Sequence, residues 1–181
     1  MFDIHAGENM IEYCKSEIEK APEKWRGKFD GSPPQRLAGV LGECVLEALW
    51  SMDWHKNLLD FDGGFDLVIN GVKVDVKTML RGGPVRPGYV SNVSALQVKY
   101  DCDVYILCSY NTLDDVVTVC GWVRKDVFLQ EAEYYPKGSI RLRSNGTEMK
   151  VWSEMYEIDN SKLNDVNSSD ALYKQIASLG R

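Results

Sequence analysis

The sequence predicts a single α/β (α+β) domain in which helices and short strands follow one another along the chain. Three observations predict this class. Apolar residues recur at three- and four-residue intervals in two early segments, apolar and polar residues alternate on both sides of Asn70-Gly71, and near-continuous apolar runs typical of buried strands follow. The chain of 181 residues is 44% hydrophobic, which suits one well-buried core. We therefore expect one domain over residues 1–181.

Two helices are predicted in the first third of the chain. Residues from about 8 to 21 place their apolar side chains on one stripe. A second helix is predicted from about 34 to 52, because a serine and two prolines precede it and such residues start a helix but cannot continue one. This second helix has a broad apolar face, and Gly42 within it would let it approach a sheet closely.

A β-hairpin is predicted over residues 64–78. Asn70-Gly71 is the dipeptide that best adopts the positive φ angles of a tight type I′ turn, and alternating residues flank it on both sides. Strand side chains have a period of two, so the three valines of the second strand share one face. We expect the valines to pack in the core and the charged residues between them to line a surface.

The charged face of the hairpin groups acids with lysines. Lys73, Asp75 and Lys77 alternate with the valines, and Asp66 lies on the neighbouring strand. Two carboxylates on adjacent strands beside an ammonium group form an arrangement suited to holding a hard divalent cation next to a phosphate. The hairpin is therefore the predicted functional centre.

The remaining segments predict further strands and helices. A loop rich in glycine, proline and arginine follows the hairpin, and Ser91 or Asn92 can cap a short helix that runs to about Tyr100. Strands are predicted at 103–110, 115–123, 139–143 and 149–156, and helices at 125–133 and 169–179. The apolar run at 103–110 predicts a strand that is buried on both faces.

The hairpin acids carry a resemblance to a known family. Asp66, a gap of eight residues, and Asp75-Val76-Lys77 resemble the PD-(D/E)XK signature of the restriction-endonuclease-like nucleases, with Phe65 in place of the signature's proline. The resemblance implies that the two acids bind Mg²⁺, for which Mn²⁺ can substitute. It also implies that Lys77 contacts the scissile phosphate or the attacking water.

The same resemblance implies further site residues and a fold. Nucleases of this family commonly present a glutamate from the helix before the hairpin, and Glu43 in Leu41-Gly42-Glu43 matches that position; an ordinary glutamate at the boundary of an amphipathic helix is the alternative. The backbone carbonyl of Val76 would be a further metal ligand. Gln97 matches a glutamine on the helix that follows the catalytic strand, or is a solvent-facing glutamine. The implied fold is an αβββαβ core over about 34–124, with a mixed central sheet flanked by helices and extra C-terminal strands and a helix.

Charge is unevenly distributed along the chain. The net charge of −6 and the pI near 5.0 are opposite to what a nucleic-acid-binding protein usually shows. The segment 73–99, however, contains a single acid, Asp75, against five cations. This segment supplies the predicted DNA contacts, although a solvated surface loop explains the same charges equally well. The predicted substrate-binding residues are Lys73, Arg81, Arg86 and Gln97.

Composition and motifs exclude several other classes of protein. Five cysteines include no CxxC pair, and an odd number does not fit a closed disulfide framework, so a reducing cytoplasm is the expected compartment. No secretory signal or membrane-spanning window is present in the sequence, which predicts a soluble, intracellular protein without a membrane partner. There is no phosphate-binding glycine loop, and two histidines are too few for a zinc site.

The sequence thus predicts a Mg²⁺-dependent nuclease that hydrolyses phosphodiester bonds in DNA, as an endonuclease rather than an exonuclease. The alternative is a catalytically silent nuclease-fold module that binds nucleic acid or a protein partner in a regulatory role. The acidic pI favours the alternative, and the intact set of acids with a lysine favours the enzyme. A homodimer is compatible with both.

Overall fold

A computed structural model of the chain describes residues 1–20, 31–55, 63–86, 88–143 and 146–180. These residues form a mixed α/β structure whose four helices are α1 (Glu8–Lys20), α2 (Pro33–Leu49), α3 (Lys125–Glu131) and α4 (Ser169–Ala177). The strands are β1 (Phe2–His5), β2 (Leu67–Ile69), β3 (Val72–Arg81), β4 (Val90–Ser94), β5 (Val104–Asn111), β6 (Val116–Arg124), β7 (Glu133–Tyr135), β8 (Ile140–Leu142), β9 (Glu148–Lys150) and β10 (Met155–Asp159). None of the described helices is both long and apolar enough to cross a bilayer.

A five-stranded sheet forms the centre of the structure, in the order β1-β6-β5-β3-β2. Strands β3 and β5 are parallel, and the other neighbours in this sheet are antiparallel. A second sheet has the order β4-β10-β7, and β8 pairs only with β9 among the described strands. The predicted mixed α/β class is confirmed, and every residue of β5 is buried, as its apolar run predicts.

Two hydrophobic cores lie on opposite faces of the central sheet. The valines of β3 pack with apolar residues of α1, α2 and α4 in the larger core. The smaller core contains Tyr105 and Leu107 of β5 together with residues of β4, β10 and α3. Asp75 and Lys77 lie opposite Tyr105 and Leu107 in the parallel register, so they are on the face that the second sheet covers. The expectation that the charged residues of this strand line a surface is therefore wrong for Asp75, which is buried.

Helix α2 lies very close to strand β3 at Gly42. A Cβ atom placed on Gly42 would lie 1.9 Å from Oγ1 and 3.0 Å from Cβ of Thr78. No side chain larger than hydrogen fits this contact without movement of the helix or the strand. The close approach expected for Gly42 is therefore confirmed, and it brings the helix that carries Glu43 against the strand that carries Asp75.

We expect Gly42→Ala to lower the free energy of unfolding by about 1–3 kcal/mol through overpacking against Thr78. Gly39→Ala is the matched control, because Gly39 lies on the same helix and has no heavy atom within 4 Å of its added Cβ. Alanine there should stabilise the protein by about 0.5–1 kcal/mol through helix propensity. Urea denaturation measures both effects, and a stabilising Gly42→Ala would contradict the close contact.

The helix predicted to run from Ser91 or Asn92 to about Tyr100 is wrong. Residues 90–94 form β4, in which Ser91 and Val93 are buried and their neighbours are partly exposed, and turns follow at 95–99. The reason is tertiary: β4 pairs antiparallel with β10, more than 60 residues later, and the pairing imposes a period of two on this segment. Gln97 accordingly lies in a turn.

The predicted αβββαβ succession is not reproduced by the described residues. From α2 onward they follow the order α2, β2, β3, β4, β5, β6, and the connection between the parallel strands β3 and β5 contains a strand and turns where a helix was expected. Other elements also differ, among them β7, which was not predicted and occupies the end of the helix expected at 125–133. The N-terminal strand β1 was not predicted, the strand expected at 149–156 divides into β9 and β10, and the expected ends of the first two helices at 21 and 52 lie beyond α1 and α2. Residue 21 lies outside the described residues.

Candidate metal centre beside strand β3

Asp66 directly precedes β2, at the end of the segment that pairs with β3. Its backbone N–H donates to the carbonyl of Val74 over 2.8 Å. Its carboxylate Oδ2 accepts a hydrogen bond from the backbone N–H of Val76 over 2.6 Å. Because β2 has only three residues, the Asp66 side chain replaces the strand partner that Val76 lacks on this side. The carboxylate is thereby fixed against the edge of β3.

The carbonyl of Val76 points toward the same edge. The Val74 carbonyl faces Asp66, and carbonyls two residues apart on a strand point in the same direction. Carbonyls of the intervening residues face β5, where that of Lys73 accepts from the N–H of Asp103 over 2.8 Å. The geometry therefore places the Val76 carbonyl on the side of β3 where Asp66 lies.

Asp75 and Lys77 form a close ion pair on the covered face of β3. Lys77 Nζ lies 2.5 Å from Asp75 Oδ1, and only 3% of the Asp75 side chain and 18% of the Lys77 side chain are exposed. A carboxylate this far from water requires a cation or hydrogen bonds to remain ionised. Lys77 supplies one such partner.

Three carboxylates interact electrostatically at this position. Burial raises the pKa of Asp66 well above its ordinary value, and the negative charges of Glu43 and Asp75 raise it further, whereas Lys77 and the Val76 N–H oppose the rise. Burial alone would lower the pKa of Lys77, but the attraction of Asp75, Asp66 and Glu43 raises it above its ordinary value. Glu43, on α2, thus belongs to the same cluster as the hairpin acids. We call Glu43, Asp66 and Asp75, with Lys77, the acid cluster.

We expect the Asp66 carboxyl to make stability fall as pH rises in metal-free buffer. Its pKa in the folded state is above that in the unfolded chain, so the folded protein binds this proton more tightly. The free energy of unfolding should decline from about pH 4, the ordinary carboxyl pKa, through the raised pKa of Asp66. Asp66→Asn should reduce this decline, because the asparagine side chain does not titrate. Its amide oxygen can still accept from the Val76 N–H, so the local structure is kept.

Urea denaturation between pH 4 and pH 8 in EDTA measures this effect. Asp101→Asn is the control, because Lys73 lowers the pKa of the exposed Asp101. Titration of Asp101 should therefore make the free energy of unfolding rise with pH, opposite to the effect of Asp66. A wild-type curve that rises monotonically over this range, and that Asp66→Asn leaves unchanged, would contradict the raised pKa.

The donor chemistry of the acid cluster fits Mg²⁺. Carboxylates and a backbone carbonyl are hard oxygen donors, the ligand type that Mg²⁺ prefers, and mutual repulsion among the acids is relieved by a divalent cation. In the part of the chain that the structure describes, no three His, Cys, Asp or Glu side chains are gathered around one point in a metal-binding arrangement. Asp75 is turned toward Lys77, and Asp66 toward the Val76 amide.

Arg81 has a structural contact. Its guanidinium donates to the carbonyl of Val90 over 2.6 Å, and its Cζ lies 4.7 Å from the centre of the Tyr89 ring. Burial lowers the pKa of Arg81. The Arg81 side chain therefore connects the end of β3 with the start of β4. Arg86, in the following loop, is exposed.

Lys73 and Gln97 lie outside the acid cluster and make other contacts. Lys73 Nζ lies 2.5 Å from Asp101 Oδ2 and 5.4 Å from the centre of the Phe65 ring. Gln97 lies in the turns after β4, where its N–H donates to the Ser94 carbonyl over 2.9 Å. Of the predicted site residues, the structure brings together Glu43, Asp66, Asp75, Val76 and Lys77.

Tyr105 is a neighbour of the acid cluster that the sequence did not reveal. It lies opposite Asp75 in the register of β3 and β5 and is fully buried. Burial raises its pKa, as do the charges of Cys102 and Asp75. In the sequence Tyr105 is one member of an apolar run, so only the parallel pairing identifies it as a neighbour of the site.

A cavity of about 610 Å³ lies elsewhere, at the hairpin-turn end of β3. Val72, Asp103, Arg124 and Leu179 are among the residues that line it, and no member of the acid cluster does. Its charged groups are engaged locally, since Arg124 pairs with Asp126 over 2.9 Å. The acid cluster is therefore the better candidate for chemistry than the cavity.

No family model, curated protein or solved structure matches this chain. The chemistry of the acid cluster is therefore what indicates a function.

Proposed function

We propose that this protein is a divalent-metal-dependent DNA nuclease of the restriction-endonuclease-like PD-(D/E)XK type. The observation that carries the proposal is the acid cluster, in which three carboxylates from a helix and two adjacent strands interact with one another and with a single lysine. Such a concentration of partly buried negative charge destabilises a fold, and it is typical of sites that bind a cation and act on phosphate esters.

Glu43, Asp66, Asp75 and the Val76 carbonyl would hold Mg²⁺, or Mn²⁺ in its place. The ion, when bound, supplies Lewis-acid polarisation of the phosphate and lowers the pKa of a water molecule. The protein holds the elements that carry these oxygens close together, and the Asp75 carboxylate would turn from Lys77 to reach the ion. Asp66 is held by the Val76 amide, and the close approach at Gly42 holds α2 against β3.

Lys77 supplies a permanent positive charge beside the reacting phosphate. Its pKa is raised, so the ammonium remains protonated at neutral pH and acts as an electrostatic partner. Hydrolysis places additional negative charge on the phosphate oxygens in the transition state. A fixed ammonium group in a site from which water is largely excluded stabilises that charge more strongly than water does.

Arg86, Lys73 and Gln97 are the proposed contacts to flanking DNA. Arg86 is exposed on the loop directly after β3, and Lys73 lies on the same face of β3 as Lys77. Arg81 would act by holding this loop to β4 through Val90. A cytoplasmic location accords with five cysteines that are all free and buried.

The overall architecture supports the nuclease fold in part. Residues 34–124 include a helix packed on a mixed sheet whose hairpin carries the acids, as a restriction-endonuclease-like core requires. The segment between β3 and β5 is the departure, because it forms β4 and turns in place of the expected helix.

Cleavage of closed circular DNA tests the proposal. Duplex and single-stranded circles are incubated with the protein in Mg²⁺, in Mn²⁺ and in EDTA, and any product reports internal cleavage because circles have no ends. We expect cleavage with either metal and none in EDTA. Absence of cleavage in all conditions, or equal cleavage by Asp75→Ala and Lys77→Ala, would contradict a nuclease.

The second candidate is a catalytically silent nuclease-fold module that binds a partner. The Lys77–Asp75 ion pair favours it, since it neutralises part of the acid cluster without a metal, as does the net charge of −6. Metal titration separates the two candidates. The silent module predicts no Mg²⁺ or Mn²⁺ binding that depends on Asp66.

A further inference from the structure

The hairpin of β8 and β9 displays large apolar side chains to solvent. We call residues 137–143 and 146–152, which contain this hairpin and the residue pair after it, the basic arm. Trp152 is 77% exposed, and Ile140 and Leu142 of β8 are also exposed. An exposed tryptophan of this kind is unusual on a surface that has no binding partner.

The basic arm concentrates positive charge in an acidic protein. It contains four cations and one acid, Glu148, whereas the whole chain has a net charge of −6. Lys137, Arg143 and Lys150 are exposed. The sign of the charge makes a polyanion the complementary partner.

The basic arm is held to the body of the protein. Arg141 lies 2.5 Å from Glu157 of β10 in an ion pair whose side chains are about 90% buried. Hydrogen bonds within the arm order its base, where the buried Val151 donates to the Ser139 carbonyl over 2.9 Å and accepts from the Gly138 N–H over 2.7 Å. Trp152 therefore projects from an anchored element.

Trp152 and Lys150 place an exposed aromatic ring beside an ammonium group. The Lys150 ammonium lies 5.3 Å from the centre of the Trp152 ring, and most of the ring surface remains accessible. An open aromatic face stacks on a nucleobase of any sequence, and an adjacent ammonium pairs with the phosphate. In a base-paired duplex the faces of the bases are covered by their neighbours, so an unpaired base is required.

The residues that follow the basic arm contact a segment that leads toward the acid cluster. The carbonyl of Glu154, two residues after Trp152, accepts from the N–H of Ala95 over 3.1 Å. The turns that follow Ala95 lead to Tyr100, which packs so closely on Gly64 that an added Cβ there would lie 2.6 Å from it. Gly64 precedes Asp66 by two residues. A succession of contacts thus leads from the residues after the basic arm to the segment before Asp66.

We propose that the basic arm binds unpaired nucleotides of a DNA strand, with Trp152 stacked on a base and with Lys150 on the neighbouring phosphate. The inference rests on the proposed nuclease function in one respect, since it assigns the substrate class as DNA that contains a single-stranded stretch. The inference adds a second DNA contact away from the acid cluster, which would contact only the phosphate that is cleaved.

Fluorescence anisotropy with labelled oligonucleotides tests the inference in EDTA, where no cleavage occurs. The probes are a 15-nucleotide oligothymidylate and a duplex of equal length. We expect Trp152→Ala to weaken binding of the single strand by about five- to hundredfold, as loss of one stacked base implies, and Trp152→Phe to retain most of the affinity. Duplex binding should change little. Leu113→Ala, which removes another exposed apolar side chain, is the matched control and should bind like wild type.

Three results would overturn the inference. These are no single-strand binding by the wild-type protein, equal binding by wild type and Trp152→Ala, and a Trp152→Ala defect that sedimentation traces to loss of a dimer. None of them bears on the nuclease proposal, because cleavage of circular DNA is measured separately. Conversely, a protein that binds the single strand through Trp152 but cleaves nothing would support single-strand binding by the basic arm and contradict the proposed nuclease activity.

Discussion

Asp75→Asn is expected to lower the rate of DNA cleavage by about a thousandfold or more, equivalent to about 4 kcal/mol of transition-state stabilisation. Asp75 is the acid that is paired with Lys77, and its charge, after that of Glu43, adds to the raised pKa of Asp66. The asparagine has the same shape but no charge, so it cannot offset a divalent cation. The fold should persist, because Lys77 keeps Asp66 and Glu43 as partners of opposite charge after Asp75 is neutralised.

Single-turnover cleavage of labelled DNA in Mg²⁺ measures the Asp75→Asn effect. Asp101→Asn is the matched control, because Asp101 also pairs with a lysine of β3 but has a side chain 79% exposed to solvent. The control should cleave at the wild-type rate. If the two variants lost activity equally, the effect would come from general electrostatics and not from the acid cluster.

Lys77→Met should lower cleavage by at least about a hundredfold, the effect expected when one fixed electrostatic partner of the transition state is removed. It should also lower stability in EDTA at neutral pH, because the acids that raise the pKa of Lys77 then repel one another without a compensating charge. Added Mg²⁺ should restore much of the lost stability, since a ligand that binds only the folded state stabilises it.

Thermal denaturation with and without Mg²⁺, run beside the cleavage assay, checks the Lys77→Met prediction. Lys162→Met is the control, since Lys162 pairs with Glu131 at the surface, with both side chains about half exposed. It should change neither activity nor the response to Mg²⁺. A Lys77→Met protein that cleaves normally would show that the ammonium has only a structural role.

The centre of the fold was predictable because its signals are local. The alternation around Asn70-Gly71 specifies a hairpin with one apolar and one charged face, and the observed register places Asp75 and Lys77 together on the charged face. Gly42 was predictable for the same reason, since a glycine on an apolar helix face indicates a close approach. These features depend on residues that are near one another in sequence.

The errors occur where distant residues decide the structure. The 91–100 segment has apolar residues that a short helix would accommodate, and only pairing with β10 makes it a strand. Strand β1 has four residues, too few for a clear periodic signal, and it is stabilised by pairing with β6. Arg81 looks like a free cation in sequence, but Val90 and Tyr89 engage it in the fold.

In the candidate site, too, some positions follow from local sequence patterns and others depend on contacts between distant residues. The hairpin positions of Asp66, Asp75 and Lys77 follow from alternation, whereas the electrostatic contact of Glu43 with the hairpin depends on the packing of α2 on β3. The presence of Tyr105 beside Asp75 depends on the parallel register of β5. The hydrogen bond between Ala95 and Glu154 likewise joins residues that are far apart in sequence.

Divalent-cation binding by Glu43, Asp66 and Asp75 is the property on which the proposed nuclease activity depends, and calorimetric titration with Mn²⁺ and Mg²⁺ measures it most directly. We expect saturable binding to the wild-type protein and to Asp101→Asn. Asp66→Asn should weaken binding by more than about a hundredfold, since even outer partners of a metal contribute about ten- to hundredfold. Binding that is absent from the wild-type protein, or unchanged in Asp66→Asn, would contradict a metal centre at the acid cluster.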